Sequence, residues 1–260
     1  DRLGVKAHVY RVGTFKSAVE PFTQTGQSPE ARAANEALVE AIWSDWLDDV
    51  GKARPAARIR DYLADPLALL RANGGDTAKA ALAAGLVDKL GDPVAFGVHV
   101  ASIVGEASDE RPGDYAAVPF ESYLRKESTG GQVGVVTVAG EIVDGEAAAG
   151  MAGGTSIANL IRDAMAEDSV KALVLRVDSP GGSAAASEEI RLALAEARSR
   201  GLPVVVSMGN VAASGGYWVS TASDMIFAEP STITGSIGVF GILPSFEDAL
   251  AKVGITRDGV

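Results

Sequence analysis

Between Val133 and Ala228 the chain alternates short apolar runs with helical stripes, and that alternation restricts it to a largely parallel sheet covered by helices. Val133-Gly134-Val135-Val136-Thr137-Val138 reads as a β-branched strand, and Ile157 to Met165 as a helix with an apolar stripe at Ile157, Leu160, Ile161 and Ala164. A second strand runs over Val170 to Val177. A helix from about Ser187 to Arg200 follows, stopped by Gly201 and Pro203. Strand Pro203 to Met208, a short helix from Ser214 and strand Met225 to Ala228 complete the series. The expected fold class is α/β. The longest apolar runs have the length of buried strands, and no run approaches the ~18 residues that a membrane-spanning helix needs.

The preceding part of the chain reads differently: a short strand region, then mostly helix. Ser28-Pro29-Glu30 is a helix start, with a capping hydroxyl, a proline at the first helical position and an early acid. Leu38, Ile42, Trp46 and Val50, flanked by Val39, Trp43 and Leu47, form one broad apolar face at helical spacing, so the tryptophans are expected in a core. Thr77 to Leu90 and Val94 to Val104 read as further helices, and the polar, glycine-rich residues 105–131 as a linker. Leu3-Gly4-Val5-Lys6 echoes Val253-Gly254-Ile255-Thr256, a hint of a duplicated fold. The opening Asp1-Arg2-Leu3, with neither methionine nor signal-peptide pattern, reads as an excised piece.

Composition narrows the function. A net charge of −11 argues against a nucleic-acid partner and against a polybasic lipid-binding surface, although Lys6, His8, Arg11 and Lys16 lie close together. The absence of cysteine excludes disulfides, thiolate catalysis and cysteine-held zinc, and it leaves the chain indifferent to an oxidising compartment. With only His8 and His99, a multi-histidine metal site is not expected, and any histidine base is one of these two. Nothing in the context of either singles it out.

Two glycine-rich loops carry the local chemical signals. Asp178-Ser179-Pro180-Gly181-Gly182 follows a strand and precedes a helix, where glycines let backbone N–H groups approach a ligand. Ala212-Ala213-Ser214-Gly215-Gly216-Tyr217-Trp218 places a serine at a helix start. That serine is either an N-cap or a nucleophile whose neighbouring N–H groups stabilise an oxyanion. The row of small residues around Ser214 favours the second, because a cap does not need such openness. The flanks do not spell a nucleophile elbow, which wants glycine where the chain has Ala212. By residue type alone, every lysine reads as a solvated surface group.

Four blocks in order resemble the signal peptide peptidase A family. They are Ser179-Pro180-Gly181-Gly182-Ser183, the stretch from Val206 to Trp218, Pro230-Ser231-Thr232-Ile233-Thr234-Gly235-Ser236-Ile237-Gly238, and Arg11-Val12-Gly13-Thr14-Phe15-Lys16-Ser17-Ala18-Val19-Glu20-Pro21-Phe22. The last is similar to the lysine-bearing segment of the duplicated, Gram-negative form. The resemblance implies a Clp protease/crotonase-like fold of repeated ββα units. Residues 1–125 would be the C-terminal part of a first repeat, mostly helical and carrying the base. Residues 126–260 would be the N-terminal part of a second, carrying the nucleophile.

Position by position, the resemblance implies Ser214 as nucleophile, Lys16 as general base, Ser236 as hydrogen-bond partner of the base, and the N–H groups of Gly182 and Gly215 as the oxyanion hole. It implies a serine endopeptidase acting on hydrophobic peptides such as remnant signal peptides. The location implied is the periplasmic side of a bacterial inner membrane, reached through segments outside this sequence. It implies a homo-oligomer and no metal or organic cofactor. A lysine amine accepts a proton only when neutral, so such a base must sit in a dry site that lowers its pKa. The alternatives are a crotonase-like acyl-CoA enzyme using the same oxyanion hole and a non-catalytic scaffold in which Ser214 caps a helix.

Overall fold

The computed structural model describes residues 3–107, 111–124 and 131–256. In chain order the elements are β1 (Lys6–Val12), a 3-10 turn (Glu20–Phe22), α1 (Pro29–Ala53), α2 (Ile59–Ala64), α3 (Pro66–Ala72), α4 (Thr77–Ala83), α5 (Pro93–Val104) and α6 (Phe120–Leu124). There follow β2 (Val133–Ala139), β3 (Glu141–Val143), β4 (Met151–Gly153), α7 (Gly154–Ala166), β5 (Ala172–Ser179), α8 (Ala184–Ser199) and β6 (Val204–Ala212). Last come α9 (Gly215–Ser220), β7 (Met225–Phe227), β8 (Val239–Ser245) and α10 (Glu247–Lys252). The chain divides into two compact units, residues 1–42 with 130–260, and residues 43–129. The boundary expected between residues 125 and 126 lies outside the described residues.

In the first unit β2, β5, β6 and β7 form a four-stranded sheet in the order β2-β5-β6-β7, with every neighbouring pair parallel. This is the α/β arrangement that the strand–helix alternation predicts. One face is buried: Val136 and Val138 of β2, Leu173, Leu175 and Val177 of β5, and Val204 and Val206 of β6 pack with Ile157 and Ile161 of α7 and Ile190 and Leu194 of α8. The period-2 side-chain alternation of a strand sends the intervening residues to the other face. There Val135, Thr137 and Arg176 are exposed, while α7 and α8 pack on the buried face. Two small sheets stand apart from it: β3 and β4 pair in parallel, and β1 and β8 pair antiparallel, from Lys6 opposite Ser245 to Val12 opposite Val239.

The second unit is helical. Asp65, Asp76 and Asp92 cap α3, α4 and α5 by accepting backbone N–H groups, which satisfies orphan donors at each helix start. The helix expected to reach Leu90 stops at Ala83, where Ala84 caps it and Gly85 turns at φ 74°. Part of the expected linker has structure: Glu106 bridges Tyr115, and Gly105 O accepts Ala116 N–H at 2.9 Å. The tryptophans are not in a core as expected. Trp43 and Trp46 are 47% and 45% exposed, and their rings stack on each other with centroids 5.1 Å apart. Helical spacing identifies which side of α1 is apolar, but it does not supply a layer to cover that side.

Candidate active site

β6 delivers Ser214 to a sharp strand-to-helix turn. Its backbone lies at φ 53° and ψ −117°, a region that a residue with a Cβ occupies only when its surroundings hold it there. Three contacts do so: Ser214 N–H donates to Gly235 O at 2.8 Å, Ala213 N–H to Ser179 O at 3.0 Å, and Trp218 N–H to Ser214 O at 2.9 Å. Although Ser214 is the residue before α9, its side chain makes no capping hydrogen bond. The hydroxyl meets a lysine instead.

Lys16 Nζ lies 3.1 Å from Ser214 Oγ, 3.0 Å from Ser236 Oγ and 2.7 Å from Ser236 O. Only 6% of the Lys16 surface is exposed, and burial moves its pKa down from the ordinary lysine value. The sequence places these groups far apart in the chain, and the β1–β8 pairing brings them together. Where the ribbon ends, Gly13 and Gly238 cross at φ 108° and 136°. A Cβ on Gly238 would stand 2.1 Å from Val12 O, and one on Gly13 would stand 2.8 Å from Ile237 O. Neither position has room for a side chain, so the two segments approach closely enough to put Lys16 beside Ser236.

The turn presenting Lys16 is held by a group that the sequence did not single out. Glu20 is 5% exposed, and its carboxylate accepts Ser28 Oγ–H at 2.6 Å and Ser28 N–H at 3.0 Å. Arg11 Nη1 stands 3.6 Å from the same carboxylate and 3.5 Å from the Lys16 carbonyl oxygen, so it bridges the two. The Ser28 hydrogen bonds, and then Arg11, hold the Glu20 carboxyl below its ordinary pKa. No local pattern marks Glu20 in the sequence. Its one clue is that the helix-capping Ser28, which also accepts Ala31 N–H at 3.1 Å, has a proton left to give.

The loop after β5 places Gly181 and Gly182 beside the Ser214 turn. Gly182 bridges Ile142 of β3 at φ 153°, and a Cβ there would lie 2.0 Å from Ile142 O. Ile142 N–H donates to Gly181 O at 2.9 Å, and Ser183 N–H to Ile142 O at 2.8 Å, which fixes the loop against β3. Gly215 is the first residue of α9, and a Cβ built on it would fall 3.4 Å from Gly182 N. The two glycines are therefore neighbours in space. Among the described residues neither N–H donates to a backbone or side-chain acceptor.

His8 lies outside this constellation, on the exposed ribbon with Nε2 3.1 Å from Ser245 Oγ, and His99 belongs to α5 of the second unit. Among the described residues no cluster of histidine and carboxylate groups suits a metal ion, and no helix is long and apolar enough to cross a membrane.

Comparison with known proteins identifies the family. The model of peptidase family S49 matches residues 1–95 and 196–260, more than half the chain. Protease 4 of Salmonella typhi is 44% identical over 264 residues, covering 100% of this chain and 42% of that relative. Protease 4 of Haemophilus influenzae is 40% identical over 269 residues, covering 100% of this chain and 43% of the relative. A putative signal peptide peptidase SppA of Enterococcus faecium is 41% identical over 90 residues, covering 35% of this chain and 26% of the relative. The chain thus spans about two-fifths of the length of the two full-coverage relatives.

Proposed function

This chain belongs to peptidase family S49, and we propose that it is a serine endopeptidase in which Ser214 is the nucleophile and Lys16 the general base. The observation that carries this reading is the Lys16 amine 3.1 Å from Ser214 Oγ in a site where burial lowers the amine's pKa. A neutral amine has two hydrogens and one lone pair. Donating the two to Ser236 O and Ser236 Oγ leaves the lone pair for the Ser214 hydroxyl proton. Ser236 thereby sets the direction of the base.

In the acylation step Ser214 Oγ bonds to the scissile carbonyl carbon while its proton passes to Lys16. The carbonyl oxygen gains negative charge, which the Gly182 and Gly215 N–H groups are free to receive. Collapse of this intermediate breaks the C–N bond, and the Lys16 ammonium returns its proton to the leaving amine. Water then enters, gives a proton to Lys16 and attacks the acyl carbon. The ester bond breaks and the proton goes back to Ser214.

The substrate class is apolar peptide. Val12, Phe15, Ile237 and Val239, which flank the base and Ser236 in the chain, all expose their side chains. The name of the Enterococcus relative supports remnant signal peptides within that class, and the proposal extends to a site of action at the periplasmic side of a bacterial inner membrane. The two-part match to one family model fits a duplicated peptidase with its base in one copy and its nucleophile in the other, and we extend the proposal to a homo-oligomer.

The test is hydrolysis of an apolar peptide ester by the protein and by its Ser214→Ala and Lys16→Ala variants. Each substitution is expected to lower kcat by about 10³-fold or more. Full activity in the serine variant would overturn Ser214 as the nucleophile, and no hydrolysis by the unsubstituted protein would leave an acyl-CoA enzyme or a scaffold. Full activity in the lysine variant would discard the dyad alone. The pH–rate profile supplies a second reading. The base works when neutral, so the rate should fall as pH drops through the Lys16 pKa, with an inflection below the value for free lysine.

A further inference from the structure

α8 and α9 each start beside one of the two backbone donors assigned above to the oxyanion, and a single carboxylate ties the two helices together. Gly182 precedes Ser183, the N-cap of α8, whose Oγ accepts Ala186 N–H at 3.2 Å, and Gly215 opens α9. Between the two helix starts there is no slack: a Cβ on Gly215 would meet Ser187 Oγ of α8 at 2.3 Å. Farther along, Trp218 Nε1–H of α9 donates to the Glu188 carboxylate of α8 at 2.7 Å. Arg191 donates to the same carboxylate through Nε and Nη2, each at 2.7 Å, and its guanidinium stands 5.8 Å from the centroid of the Trp218 ring.

The two helices are anchored unequally. α8 sinks Ile190, Ala193, Leu194 and Ala197 into the core and cannot move without it. α9 is six residues long, and its one large buried side chain is Val219. Its indole is a lever, because Trp218 N–H also donates to the Ser214 carbonyl at 2.9 Å. A shift of Trp218 therefore reaches both the serine and the Gly215 donor, and a misplacement of about 1 Å is enough to weaken catalysis. The hydrogen bonds from Arg191 and then Trp218 hold the Glu188 pKa down at about 2, so the anchor is ionised at neutral pH.

We propose that Glu188 is a positioning residue for the oxyanion hole: through Trp218 it sets the lateral position of α9 against α8, and so the spacing of the Gly182 and Gly215 donors. This rests on the serine-peptidase reading and assigns to that site a part outside the dyad. Glu188 touches no reacting atom, so its removal should weaken transition-state binding and leave ground-state binding alone.

The experiment compares Glu188→Gln, Glu188→Ala, Trp218→Phe and the double variant Glu188→Ala/Trp218→Phe in the full-length protein, on an apolar peptide ester. Affinity for a peptidyl trifluoromethyl ketone, which forms a tetrahedral adduct, is measured alongside. Glu188→Ala and Trp218→Phe are each expected to lower kcat about tenfold with KM held within about twofold. The double variant should lose no more than the worse single one, because both break the same link. Glu188→Gln keeps an acceptor for the indole and should lose less, and ketone affinity should fall in step with kcat. Unchanged kcat, a rise in KM alone or additive losses would each overturn the proposal; the near-isosteric Gln variant and Trp218→Phe decide it if Glu188→Ala does not fold. Ser214→Ala in the same assay separates the two readings. If it is inactive while the Glu188 variants match wild type, only the positioning role fails.

Discussion

Ser214 and Gly182 stand at the ends of strands buried on the helix-covered face of a four-stranded sheet, whereas Lys16 stands past the end of a two-stranded ribbon whose side chains are largely in solvent. The sheet side takes its rigidity from close apolar packing: Leu175, Val177, Val206 and Ala212, all buried, lead directly into the two glycine loops. The ribbon side relies on polar pairing. Lys6 meets Asp248 at 2.8 Å, Arg11 and Ser28 converge on Glu20, and the Lys16 amine is held by serine oxygens. Surface ion pairs like the first contribute little, since water and salt screen them. Steric change should therefore disable the sheet side, and charge or pH the ribbon side.

The largest effect that sharpens this contrast is expected at Gly215. An alanine there would drive its Cβ to 2.3 Å from Ser187 Oγ, with Gly181 Cα at 3.3 Å and Gly182 N at 3.4 Å. Ser187 Oγ must give up its hydrogen bond to Ser183 O or the start of α9 must move, and kcat should fall by up to about 10²-fold, as when one oxyanion donor is lost. Adding Ser187→Ala removes the obstructing oxygen and should recover part of the loss in the same peptide-ester assay. If Gly215→Ala has wild-type kcat, the packed side tolerates change and the contrast collapses.

The same contrast explains what could be read from the sequence. Strand and helix periodicity located β2, β5, β6, α7 and α8 within a few residues, because a buried face repeats at fixed spacing in each. Glycines too tight for a Cβ marked the loop at Gly182. Periodicity had nothing to say about Lys16. Its neighbours in space, Ser214 and Ser236, come from the far end of the chain through the antiparallel pairing of β1 with β8, and no local pattern encodes that register. A family resemblance selected Lys16; residue chemistry alone read it as a surface group. Glu20 stayed hidden for the same reason, since its burial depends on the Ser28 hydroxyl and Arg11 closing over it. The exposed Trp43–Trp46 pair is the converse, an apolar stripe whose period was read correctly and whose burial was not.

Glu20→Ala probes the ribbon side and should act through pH as well as geometry. Removal of the carboxylate strands Arg11 and the Ser28 hydroxyl and frees the turn that carries Lys16, with kcat expected to fall about tenfold. The linkage follows from the direction of the shift. Glu20 in the folded protein titrates below its unfolded value, so the unfolded chain binds more protons in the window between the two. Its contribution to stability is complete above the ordinary glutamate pKa and is lost as pH falls through the depressed one. Unfolding midpoints measured from neutral pH down into that acidic window should converge for wild type and Glu20→Ala. Parallel curves would show that the carboxylate charge is not what secures the turn.

His8→Ala should do least, and that small result discriminates between two bases. His8 lies on the exposed face of β1 with Ser245 Oγ 3.1 Å away, a contact between solvent-accessible groups on the same ribbon that places Lys16. A histidine base would lose nearly all activity on this substitution. A lysine base predicts kcat within about twofold of wild type, a stability change within about 0.5 kcal/mol, and an unchanged pH–rate profile. The ribbon can lose His8 because the close approach of Gly13 to Gly238 and the β1–β8 ladder, not this side-chain contact, hold it in register. A large loss of activity with an intact fold would transfer the base from the buried amine to the exposed imidazole and reverse the division between the two sides of the site.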